Sequence, residues 1–202
     1  MASFNITPID IGGYIIDTVF SDDNRGSFTK LFEKETFKQS GIDFNCSESF
    51  VSCSDKNVVR GMHFQTFHPQ AKLVSVISGK IYDVIVDLRK ESSTYGQWRG
   101  FYLSSENHKS LLAPRGFAHG FLSLCDGSTV MYQCDGVYDK DSDTGVLFCD
   151  EDIDVKWPVE VSAMIIGQRD RALMSFKEFD GKCEFDYNNS NANVQKLSVK
   201  ES

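Results

Sequence analysis

The sequence contains no Cys-x-x-Cys pair, although six cysteines are spread along its 202 residues. Without that spacing neither a zinc ribbon nor a thioredoxin-type redox site is expected, and the cysteines read as reduced, partly buried thiols. Positive charge is scarce as well. Lys and Arg number 21 against 29 Asp and Glu, a formal net charge of -8. That balance argues against a general binder of nucleic acid or of anionic membrane, because counterion release needs a basic surface. An anionic small substrate stays compatible, since its site needs only a few local cations.

Long apolar runs are missing too, and none approaches the roughly 18 residues of a membrane span. The first twenty residues, MASFNITPIDIGGYIIDTVF, lack a basic n-region and carry Asp10 and Asp17 among their apolar positions. They do not read as a secretory signal peptide, so a soluble cytoplasmic protein is expected. There is neither an internal repeat nor a linker-like shift in composition. The length suits one domain. Residues 1–186 are assigned to it, and the polar stretch 187–202 to a loose tail.

What is present is aromatic and strand-like. Sixteen Phe and seven Tyr suit a β-rich core. Short apolar segments alternate with turn signals: Ile11 to Phe20, Phe28 to Phe32, Phe44 to Ser54, Val58 to Gln65, Gln97 to Leu103 and Val130 to Cys134. Ser78-Gly79, between Lys72 to Ile77 and Lys80 to Leu88, reads as a two-residue hairpin turn. Helical periodicity is confined to a short segment, Glu33 to Ser40, which Gly41 ends. The pattern predicts an all-β fold, a jelly roll with a few short peripheral helices, although periodicity alone does not separate it from a lipocalin-like barrel.

The stretch Val58 to Arg89 is the most informative. It sets Arg60, His63, Lys72, Asp83 and Asp87 among apolar residues, and charged groups are seldom buried unless paired or used. Alternation places Val59, Gly61, His63 and Gln65 on one strand face and Val58, Arg60, Met62 and Phe64 on the other. Further on, Tyr82, Val84, Val86 and Leu88 form an apolar face, while Ile81, Asp83, Ile85 and Asp87 form a mixed one. A face that mixes Ile with Asp points to an interior holding water or a ligand.

Several blocks in order carry a resemblance. They are Asn24-Arg25-Gly26 with Phe28, Arg60-Gly61-Met62-His63-Phe64-Gln65, Gln70-Ala71-Lys72-Leu73, Asp83-Val84, Asp87-Leu88-Arg89 and Ser93-Thr94-Tyr95-Gly96. Pro114-Arg115-Gly116-Phe117-Ala118-His119-Gly120-Phe121 and Trp157-Pro158 complete the set. From about Val19 to about Arg171 the chain resembles the dTDP-4-dehydrorhamnose 3,5-epimerase family. The resemblance implies a cupin-type jelly roll, usually a homodimer, acting without metal or other cofactor on a nucleoside-diphosphate 4-keto-6-deoxy sugar.

The roles it implies make chemical sense. A C4 ketone acidifies the protons at C3 and C5, so epimerisation needs a base on one face, an acid on the other and a stabiliser for the enolate. His63 is the implied base, with Asp170 fixing its tautomer. Tyr132 is the implied acid, with Tyr138 as a neighbouring ring, and Lys72 stabilises the developing enolate. Arg25, Arg60 and His119 are implied to bind substrate, with Asp83 orienting one of them. For Lys72 and Arg60 the structural alternative is an internal ion pair to Asp83 or Asp87.

The chain departs from the family pattern where nucleotide recognition is implied. Glu48-Ser49-Phe50 stands in place of Gln-Asp-Asn and Lys30 in place of Glu; two further positions change conservatively, Asp143 standing where Glu is usual and Arg169 where Lys is usual. A related sugar on a different nucleotide, or a modified sugar on thymidine, is the expectation these changes raise; inversion at C3 or C5 alone is a separate alternative, since relatives with nearly the same catalytic residues can stop after C3. Two other classes start from the same residues. A metal-dependent cupin oxygenase would need a second His where Gln65 stands. A non-catalytic sugar-nucleotide binder would not need His63, Asp170, Tyr132 and Lys72 together.

Overall fold

The computed structural model describes residues 3–182. Cys183, the expected domain end at 186 and the tail 187–202 lie outside the described residues. The chain opens with strands β1 (Asn5–Pro8), β2 (Tyr14–Asp17), β3 (Val19–Asp23) and β4 (Gly26–Lys30), then helix α1 (Lys34–Gln39). Strands β5 (Cys46–Ser54), β6 (Val58–Gln65), β7 (Ala71–Ser78) and β8 (Lys80–Asp87) follow. Next come β9 (Trp98–Ser104), β10 (Lys109–Ala113), β11 (Phe117–Ser123), β12 (Ser128–Asp135) and β13 (Asp143–Gly145). The described chain closes with β14 (Ile165–Ile166) and helices α2 (Gln168–Arg171) and α3 (Phe176–Lys182).

Two sheets face one another in the jelly-roll manner. One has the order β1-β2-β10-β7-β12-β5, and the other β13-β6-β11-β8-β9 with β14 added alongside β6. Val74, Val76, Val130 and Cys134 of the first sheet meet Ile81, Ile85, Leu103, Phe117 and Phe121 of the second in a buried inner layer. Each outer face is also covered. Phe37 of α1, with Ile42 and Phe44, packs on Ile16, Leu73 and Leu112. Phe179 of α3, with Trp157 at its margin, packs on Met62, Phe64, Val84 and Val86. This is why β8 is apolar or fully enclosed on both faces: Asp83 and Asp87 are as buried as Val84 and Val86.

The predicted hairpin at Ser78-Gly79 is not one. β7 pairs with β10 and β12, whereas β8 pairs with β11 and β9, so the chain changes sheets at this point. Gly79 has φ +82°, and a Cβ there would meet Cys125 Sγ and Ser128 Oγ at 2.9 Å each. The turn chemistry was legible, but a turn signal specifies reversal of direction and not which neighbours the next strand will bond. Similarly, the single strand expected over Ile11 to Phe20 divides into β2 and β3. β3 and β4 form a separate two-stranded ribbon, hydrogen-bonded into neither sheet.

No helix among the described residues is long and apolar enough to cross a membrane. The five described cysteines are free thiols; Cys134 is buried, Cys125 intermediate, and Cys46, Cys53 and Cys149 are exposed.

Candidate active site

Polar side chains of the inner layer gather on β6, β7, β8, β11 and β12. The local irregularity that arranges them is at Gly61. Its φ is +122°, and a Cβ there would lie 2.5 Å from Gly120 Cα. Only glycine fits this crossing of β6 and β11. The register between the two strands shifts here, with His63 opposite His119 but Arg60 opposite Phe121. One extra residue on β6 therefore brings Arg60 and His63 to the same inward face, three positions apart. Val59, Met62 and Phe64 turn together into the outer cluster. Strict alternation had set Arg60 with Met62 and Phe64; the bulge corrects that assignment.

His63 Nε2 lies 2.8 Å from Oδ1 of Asp170 on α2. The other carboxylate oxygen accepts the Gly61 backbone N–H at 3.2 Å. Burial would raise the Asp170 pKa, but the bond from His63 and the Gly61 N–H outweigh it and hold the carboxyl below its ordinary value. A charge-assisted bond of this kind fixes the imidazole tautomer and leaves Nδ1 as the second ring nitrogen.

Opposite His63 in register, His119 Nε2 lies 2.7 Å from Asp83 Oδ1, and both residues are buried. Asp83 Oδ2 has no hydrogen-bond partner among the described residues. Burial raises the Asp83 pKa, against the pull of His119. The His119 ring in turn meets Tyr132 edge-on, with centroids 5.9 Å apart. Tyr132 belongs to the facing sheet. Burial, and then the Asp83 carboxylate, push the Tyr132 phenol well above its ordinary pKa.

Lys72 sits on β7 as the register partner of Cys134, two residues along β12 from Tyr132. It has no ion pair among the described residues. Burial lowers its pKa, partly opposed by Cys134, Asp143 and Glu48. Arg60 donates from Nε to Ser54 Oγ at 2.9 Å and from Nη2 to the Cys53 carbonyl at 3.2 Å. The alternative of an internal ion pair is overturned for both cations. Asp83 goes to His119, and Asp87 is taken by Arg89, Ser92 and Thr94.

Two expected residues lie elsewhere. Tyr138 is an exposed ring at the rim, donating to Asp143 Oδ2 at 2.9 Å, an oxygen that also pairs with Arg169 at 2.8 Å. Arg25 is at the tip of the β3–β4 ribbon with its side chain 85% exposed, held among the described residues by Asp23 alone. It is not brought to the other site residues within one chain.

The sequence reading missed three positioning contacts. Gln65, buried, donates to the His68 and Val137 carbonyls and accepts from the Asp139 N–H, tying the 137–139 loop to the end of β6. Ser54 holds Arg60. Phe50 stacks on Tyr132 with centroids 4.8 Å apart and ring planes 16° from parallel. The bonds of Gln65 to Val137 and Asp139 and the Phe50–Tyr132 stack join segments distant in sequence and leave no local signal, whereas Ser54 lies only six residues from Arg60.

Among the described residues no three His, Cys, Asp or Glu side chains converge as a metal-binding group. His63, His119, Tyr132 and Lys72 thus lie on strands of a double-sheet scaffold of the cupin type. Comparison with known proteins is specific. The family model described as dTDP-4-dehydrorhamnose 3,5-epimerase matches residues 8–178, and the chain belongs to that family. The enzyme of that name from Methanothermobacter thermautotrophicus is 42% identical over 181 residues, covering 88% of this chain and 97% of the relative. The crystal structure of the Bacillus anthracis enzyme, with TDP and PPi bound, superposes with a TM-score of 0.82 at 39% identity, covering 86% of this chain and 99% of that one. A Legionella pneumophila dTDP-6-deoxy-D-glucose-3,5-epimerase in complex with dTDP-4-keto-L-rhamnose gives 0.85 at 33% identity, covering 89% and 96%.

Proposed function

We propose that this protein epimerises a nucleoside-diphosphate 4-keto-6-deoxy hexose, dTDP-linked as in its relatives, at C3, C5 or both. The observation that carries this reading is the opposition of two proton-transfer groups from facing sheets: His63 backed by Asp170 at 2.8 Å, and the buried Tyr132. His63 takes the proton α to the ketone, and the electron pair passes into the C4 carbonyl. Lys72 supplies positive charge to the enolate oxygen that results. Tyr132 donates its proton to the opposite face of the same carbon, which inverts it. Solvent then reprotonates the phenolate and takes the proton from His63.

A phenol whose pKa is raised by burial stays protonated until a strongly basic partner forms, which is the property this acid needs. Arg60 and the His119–Asp83 pair are assigned to the sugar and its diphosphate, and Tyr138 to the rim. Arg25 would reach a site only from a second copy of the chain, and a homodimer is part of this reading. In its support, the β3–β4 ribbon stands outside both sheets and exposes Phe28 to 60%. Full activity from a strictly monomeric species in light scattering would remove the dimer. Free thiols suit a reducing compartment, the cytoplasm.

A second reading, inversion at one carbon on a different nucleotide sugar, is favoured by Lys30, which pairs with Glu33 at 2.9 Å, and by Phe50 on the pocket wall. One experiment separates them. The protein is incubated in deuterated water with 4-keto-6-deoxyglucose carried on dTDP, CDP, UDP or GDP, and the C3 and C5 protons are followed by NMR. Exchange with the dTDP substrate is expected. Absence of exchange with every donor would overturn the epimerase reading.

A further inference from the structure

Phe50 is an unusual residue for its place. It lies on β5, the edge strand of its sheet, and remains 47% exposed, where a polar side chain would cost nothing in lost burial. It is the direct register partner of Tyr132. Side chains opposite one another on adjacent antiparallel strands stand close enough to touch, so a ring at position 50 must lie along a ring at position 132. It does so, at 4.8 Å and 16° from parallel.

The remaining surroundings of Tyr132 complete a clamp. His119 meets the ring edge-on at 5.9 Å and 76°. The Ser49 hydroxyl donates to the Tyr132 carbonyl at 3.0 Å, fixing the backbone beneath it. With Phe50 along one face and His119 against it at a steep angle, the ring has little room to swing about its Cα–Cβ bond. The arc available to the phenol oxygen is thereby narrowed. C3 and C5 flank the C4 carbonyl, so the position of that oxygen decides which carbon receives the proton.

We propose that Phe50 is a positioning residue that sets the C3-to-C5 outcome by holding Tyr132 in one ring orientation. The inference rests on the epimerase reading above, in which Tyr132 is the acid.

The test is Phe50→Leu and Phe50→Asn, with Phe50→Tyr as the variant that keeps a stacking ring. Exchange at each carbon and inversion at each carbon are measured together in deuterated water on the 4-keto-6-deoxy sugar nucleotide. Loss of the ring is expected to change the C3-to-C5 ratio of inversion roughly two- to ten-fold, the range an aromatic pair commands. Exchange through His63 should remain measurable at both carbons, and Phe50→Tyr should restore the ratio. The ratio is a property of each folded molecule and is insensitive to how much of the variant folds. An unchanged ratio would overturn the proposal, as would a rise in KM alone, which would make Phe50 a substrate platform. If the unaltered protein shows no exchange, the epimerase reading fails first, and that result is distinguishable from a ratio that stays fixed while exchange proceeds.

Discussion

Asp170 reaches His63 across 107 positions of sequence to make a 2.8 Å bond, while its second oxygen takes the N–H of the glycine that sets the β6 bulge. One carboxylate thus orients the candidate base and the strand that carries it. Asp170→Asn keeps the shape but offers an amide that can stabilise the wrong tautomer and cannot stabilise an imidazolium. Turnover should fall about 10²- to 10⁴-fold, with KM little changed. The pH profile gives a second check. The folded pKa of Asp170 lies below its ordinary 3.8, so the stabilisation from this pair is present above that value. It is lost as pH falls through the lower folded pKa, and an acid-unfolding curve should show that loss in the original protein but not in Asp170→Asn.

Tyr132→Phe removes the acid and leaves the base. Deuterium should still enter the substrate through His63, while formation of the inverted sugar drops about 10²-fold or more. Equal loss of exchange and inversion in the NMR assay would remove Tyr132 from the role of acid.

Lys72 illustrates a stability cost at a working position. Burial lowers its pKa and it has no ion pair among the described residues, so its charge is disfavoured in the folded state. Lys72→Met should raise unfolding free energy by about 1 kcal/mol while abolishing turnover. The sign with pH is fixed. The folded chain binds fewer protons at this site than the unfolded one, so the original protein gains stability as pH rises between the folded pKa and 10.5. The advantage of Lys72→Met in denaturant titrations should therefore be largest near neutrality and shrink at alkaline pH.

The His119–Asp83 pair behaves oppositely. His119→Ala leaves a carboxylate buried without its partner, which should cost about 3–5 kcal/mol at neutral pH. Asp83 already has a raised pKa through burial, and such a group favours the folded state more as pH falls. The penalty measured by denaturation should be smaller at pH 5 than at pH 8.

The parts of the fold that were legible in sequence are those set by local period and turn chemistry. The mixed face of β8 marked an enclosed polar interior, and Asp83 is there. The motif blocks contain His63 and His119, and the family resemblance added Asp170 and Tyr132; His63 bonds Asp170 and the His119 ring meets Tyr132. Other features depend on which strands become neighbours, and a turn signal is silent on that. Ser78-Gly79 reads as a hairpin until β7 and β8 are seen in different sheets. Arg60 and His63 read as opposite faces until Gly61 meets Gly120. Arg25 reads as part of the site, yet it sits on a ribbon bonded to neither sheet.

β5 stands at the border of its sheet, beyond β12. Glu48, Ser49 and Phe50 all lie on this one marginal strand, bonded on a single side. Lys72, Asp83 and His119 lie on strands hemmed in from both sides. A border strand can be rewritten at the expense of one neighbour, whereas an interior one drags two along with it. Substitution on β5 therefore disturbs fewer neighbours than substitution on the strands that carry Lys72, Asp83 and His119.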